Sequence, residues 1–113
     1  MKLVKFAQSK LLNVTANTTA REYPEGDLDI WGAVIEINGR YPEKGRTVNL
    51  ECKELVYFLE GEGKLVVEDK EIEVRKGDQV VIEPGEKFYW QGKLKMFMPC
   101  TPAWHPEQHK QVE

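Results

Sequence analysis

Few side chains in this sequence could do chemistry, and most of them gather in one short stretch. Glu54 follows Cys52, Asn49 and Thr47 closely. A glutamate turned into an apolar interior loses hydration, so its pKa rises toward neutrality. It can then take or give a proton near pH 7. The structural alternative is a carboxylate merely held by Asn49, Thr47 or a water. Thr47 and Asn49 are two residues apart and so share one strand face. They could bind a ligand beside Glu54, or satisfy one another. Cys52 offers a soft ligand or a nucleophile, but no histidine is near it in sequence to activate it. A small buried thiol is the simpler reading, for Cys100 as well.

Aromatic residues form the second group. Phe88 and Trp90 share a face by the same alternation, and with Trp31 they could line a cavity and stack on a flat ligand. Filling the interior is the plainer account. Tyr57 and Tyr89 fall out of phase with Glu54 and Phe88, which puts them outside or at a subunit contact. Arg40 and Tyr41 read as a loop that could gate a mouth or hold an anionic group. His105 and His109 are four residues apart, with Pro106 between them. On a helix they could face one metal. Their polar, terminal setting predicts a solvated tail instead, with Trp104 anchoring it to the body.

The elements that must position these residues are short strands. Residues 29–38 are β-branched and aromatic, and Gly39 closes them. Residues 46–51 alternate weakly, and residues 54–60, with Leu-Val-Tyr-Phe-Leu in the middle, make a stronger strand. Gly61-Glu62-Gly63 reads as a turn, with a return strand over 64–68. In the next strand Ile72 and Val74 alternate with charged residues and should face a core. Residues 79–83, 87–91 and 94–98 complete the run, with Gly92 between the last two. About eight strands at this spacing predict an all-β sandwich or barrel.

Composition narrows the function. The chain has 113 residues, enough for one domain with a real core. Its formal charge of −3 leaves no basic surplus to neutralise phosphates, which argues against nucleic acid. No apolar run approaches a membrane helix. The N-terminal residues lack the apolar region of a signal peptide, and two cysteines without metal or redox spacing fit a reducing compartment. The expectation is a cytoplasmic protein.

Residues 54–63, ELVYFLEGEG, and 75–85, RKGDQVVIEPG, resemble the two motifs of the cupin family. The resemblance implies a jelly-roll barrel, or double-stranded β-helix. It further implies one domain over 1–113, with a barrel core at about 29–101 and both terminal segments packing outside. Cupin metal sites use two histidines and a glutamate of the first motif and a histidine of the second. With Glu54 as the motif glutamate, those histidine positions fall on Thr47, Asn49 and Phe88, and the asparagine after the last falls on Gly92. Neutral oxygens and a phenyl ring are poor ligands for iron, zinc, nickel or copper. The expectation is therefore no metal and no cofactor, and a small polar or sugar-like molecule held in the barrel by Thr47, Asn49, Glu54, Phe88, Trp90, Trp31 and Cys52. The resemblance also implies a homodimer formed through edge strands. Besides a purely structural interaction module with a filled barrel, two alternatives stay open. One is a metal-independent sugar isomerase or epimerase with Glu54 as acid and base. The other is a metal enzyme with unconventional ligands, namely Glu54, Cys52, Glu51 and a tail histidine.

Overall fold

The computed structural model describes all residues, 1–113. Ten antiparallel strands make one curled sheet, and the protein is an all-β jelly-roll barrel. The strands are β1 (Lys10–Thr15), β2 (Thr18–Glu22), β3 (Ala33–Tyr41), β4 (Arg46–Asn49) and β5 (Lys53–Val67). They continue with β6 (Lys70–Arg75), β7 (Gln79–Ile82), β8 (Lys87–Phe97), β9 (Cys100–Thr101) and β10 (His109–Val112). Single 3-10 turns at Phe6–Gln8 and Pro106–Gln108 are the only helical pieces. None is long and apolar enough to cross a membrane.

The sheet runs β1-β2-β3-β8-β4-β10, and β5 pairs with β6, β7, β8 and β9. β8 is the hub, with partners on β3, β4 and β5. The expected turn at residues 61–63 is absent. β5 runs straight through it, and β8 runs straight through Gly92. Gly92 lies opposite Gly39 on β3 and Gly63 on β5. A Cβ on Gly92 would stand 2.5 Å from the Gly63 Cα, and Gly92 holds φ +137. These glycines therefore let three backbones cross closely at a barrel corner. The sequence signal was real, but it marked a bend within long strands and not a reversal.

Other differences follow from packing. β3 begins at Ala33, later than expected, and continues past Gly39 to Tyr41. Val74 is buried as its alternation predicts, whereas Ile72 is 40% exposed. β6 pairs only with β5 and so forms an edge of the sheet. The two terminal segments add strands to the same sheet. β2 pairs with β3, β1 with β2, and β10 with β4, so they extend the sheet.

The core lies along the inner face of the paired strands β5 and β8. Phe58, Trp90, Leu65 and Met96 are essentially without solvent contact. Trp90 meets Phe58 edge-on at 5.7 Å between ring centroids and Phe88 at 6.4 Å. Burial of such rings supplies much of the apolar stabilisation of a small barrel. It also leaves one side of Trp90 and Phe88 facing an open cavity.

Candidate functional site

That cavity has a volume of about 510 Å³. Its walls come from the N-terminal strands, from β8 and from the C-terminal segment, with Glu54 of β5. β2 and β3 contribute Ala20, Ala33, Ile35 and Ile37, and β8 contributes Phe88 and Trp90. Leu12 and Val14 of β1 stand half-exposed at its edge, and Trp31 and Met98 add further apolar surface. From the C-terminal segment come Trp104, Pro106 and His109.

One end of the cavity is polar. Glu54, the second residue of β5, lies opposite Cys100 and Ile82, and its side chain is almost wholly buried. The Asn49 Nδ2 donates to Glu54 Oε1 at 2.8 Å. With the amide so oriented, Asn49 Oδ1 is left to accept from His109 Nδ1 at 2.6 Å. The second ring nitrogen, Nε2, is then an acceptor for the Tyr41 hydroxyl at 2.9 Å. Thr47 Oγ1 also lies 2.9 Å from that nitrogen and donates to the Lys110 carbonyl. Four strands, β3, β4, β5 and β10, thus bring together one connected chain of groups: Tyr41, His109, Asn49 and Glu54.

The electrostatics follow from burial. Desolvation pushes the Glu54 carboxyl up to about 7, against a smaller opposing effect of the Asn49 hydrogen bond. Burial lowers the His109 imidazole below its ordinary value, which favours the neutral ring that the hydrogen bonds require. Burial, and after it the nearby Glu54, raises the Tyr41 phenol. Near pH 7 Glu54 is divided between its two protonation states, beside a neutral imidazole.

The residues expected to form a site divide three ways. Glu54, Phe88, Trp90 and Trp31 line the cavity. Thr47 and Asn49 stand behind the wall and bear on it through His109 and Glu54. Cys52 is also behind the wall, where its backbone N–H donates to Gln108 Oε1 at 2.8 Å. The cavity meets Cys100 instead, a free thiol that its hydrogen-bonding contact with Cys52, and then burial, push well above the ordinary range. A thiol so raised is a poor nucleophile.

Three readings are overturned. The tail is not solvated at His109, because β10 pairs with β4 and sets His109 opposite Asn49. His105 and His109 share no helix face either. His105 lies outside, between Glu107 at 3.0 Å and Glu51 at 3.2 Å. Tyr41, read as part of a loop, ends β3 and reaches His109. The missed signal was the pattern around His109. The strand His109–Val112 contains one apolar residue, and only its partner strand makes it a strand.

A transition metal does not fit this donor set. Glu54 is the single carboxylate near the motif positions, Phe88 fills the fourth of them, and both His109 nitrogens already have partners. No group of three His, Cys, Asp or Glu side chains anywhere in the chain is arranged to hold a metal ion.

Comparison with known proteins agrees with this architecture. The EutQ-like cupin domain matches residues 42–97. Among solved structures the fold is shared with Pac13 of Streptomyces, described as a nucleoside dehydratase and crystallised with uridine. Identity is 13%, TM-score 0.89, and 100% of this chain and 92% of that one are covered. It is shared as well with the polyketide cyclase RemF of Streptomyces resistomycificus, at 24% identity, TM-score 0.75, and 100% and 86% coverage. Ectoine synthase from P. lautus follows at 18% identity, TM-score 0.67, and 88% and 78% coverage. No curated protein matches the sequence. With the motif residues, the barrel and the matched domain in agreement, the chain belongs to the cupin family.

Proposed function

We propose that this cupin binds a small organic molecule in its barrel and moves a proton on it with Glu54, without a transition metal. The observation that carries this reading is the buried Glu54 carboxyl at the cavity end, with a pKa near neutrality and one oxygen fixed by Asn49. A carboxyl poised between its two states can remove a proton next to a carbonyl and return it elsewhere on the same molecule. That step serves isomerisation, elimination of water or ring closure. Tyr41, whose one hydroxyl proton goes to His109, holds that imidazole in place, and Asn49 keeps Glu54 and His109 in register.

The test is hydrogen–deuterium exchange at carbon in D2O, followed by NMR, on a panel of enolisable carbonyl compounds that includes neutral, anionic and sugar members. At least one member should exchange faster with the protein than in buffer. Glu54→Gln, which keeps the Asn49 hydrogen bond but cannot take the proton, should lower that rate by about 10²–10⁴-fold. A panel without any accelerated member, or a Glu54→Gln variant as fast as the parent, sinks the reading.

A pair of chains is the assembly we favour. β1 is an edge strand with Leu11, Leu12 and Val14 exposed, a surface that a second copy could cover beside the cavity edge. Sedimentation velocity should give a dimer, and Leu11→Lys with Val14→Lys should give a monomer.

A further inference from the structure

The cavity is an unusual place for the polar or sugar-like ligand that the sequence suggested. Thirteen of its eighteen lining residues are hydrophobic. None of the eighteen is lysine or arginine, and the two charged side chains among them, Glu54 and Glu22, are both acids. A phosphate, sulfate or carboxylate entering here would meet like charge and no cation, in a setting where water screens little. A sugar would bury several hydroxyls, each needing a partner. Tyr41 and His109 already bond each other. Flat rings fare differently, since Trp31, Phe88, Trp90 and Trp104 present ring surface from several directions.

We infer that the ligand of this cavity is a neutral, flat, predominantly apolar carbonyl compound, a cyclic or conjugated ketone, lodged with its carbonyl at the Glu54–Tyr41 end and its ring system against Ile35, Ile37 and Trp90. Discrimination comes from what the walls lack. A charged relative of the same shape is rejected because nothing compensates its charge, and a polyol is rejected because its hydroxyls go unpaired. The assignment takes its orientation from the proton-transfer reading, but it is a statement about binding and can be tested without turnover.

The probes are 2-tetralone, a neutral bicyclic enolisable ketone; 2-naphthoate, an anion on a similar ring system; and uridine, a polar ring compound. Each is titrated at pH 8 into the wild-type protein, with tryptophan fluorescence and calorimetry as readouts. The ketone should bind saturably, at least tenfold tighter than either competitor. Ala33→Phe and, separately, Ala20→Leu push side chains into the cavity. Whichever keeps the native circular dichroism should weaken ketone binding at least tenfold. The inference is overturned if 2-tetralone does not bind, if 2-naphthoate or uridine binds as tightly, or if a folded cavity-filling variant binds the ketone unchanged. Ketone binding without proton exchange would instead overturn the catalytic reading and leave the ligand class standing.

Discussion

The wall made by β2, β3 and β8 and the polar end where β3, β4, β5 and β10 meet share one cavity, yet they are built differently. The wall is a continuation of the core. Ile37 and Trp90 face the cavity on one side and the packed interior on the other, so burying them stabilises the barrel whatever the cavity holds. The polar end works against stability. It keeps an acid away from water at a pH where that acid would otherwise be charged, and it holds an imidazole neutral. Groups whose burial costs free energy cluster at functional sites, and this contrast supports the proposed role of the polar end.

Breaking the wall should have the largest effect on stability. Trp90→Ala removes a ring that touches Phe58 and Phe88, and should cost about 3–5 kcal/mol in urea denaturation, with the cavity and core merging into one void.

The polar end should show itself through pH. Glu54 binds its proton more tightly folded, with a pKa of about 7, than unfolded, at the ordinary 4.5. Its contribution is therefore complete below about pH 4.5 and is lost as pH rises to 7, by about 3 kcal/mol. His109 has the opposite sign. Its folded pKa is lowered, so stability from this group rises as pH climbs toward its ordinary value of 6.5. Urea midpoints of the parent and Glu54→Gln should therefore diverge between pH 5 and pH 8, with the variant gaining on the parent. Parallel curves would show that Glu54 is not desolvated.

A smaller effect is expected from His109→Ala, which strands the Asn49 oxygen and the Tyr41 hydroxyl. A loss of about 1–3 kcal/mol should accompany it, and His109→Gln should recover part. The smallest belongs to His105, whose partners Glu51 and Glu107 are exposed. His105→Ala should leave the denaturation midpoint unchanged, which would separate the two histidines that spacing alone made equivalent.

Much of the barrel was legible because its causes are local. The apolar run in residues 54–60, the alternation in 71–75, and the glycines and prolines between strands specify strands and bends within a few residues. The same local signals misled where glycine served a neighbour. Gly63 and Gly92 read as chain reversals, but their small size answers to each other across a strand pair.

Within the site, Glu54, Asn49 and Thr47 could be grouped from sequence because they lie within one turn of chain and its flanking strands. Tyr41 and His109 could not. They are 68 residues apart and meet through a sheet that closes on itself. Periodicity reports which way a side chain points along its own strand. It carries nothing about which distant strand arrives opposite, because that depends on the summed packing of the whole barrel. The sequence by itself determined that this is a β-barrel of cupin type whose usual metal-binding histidines are replaced. Only the tertiary structure decided that a histidine from the C-terminal strand returns to that place, and that the space before it is apolar.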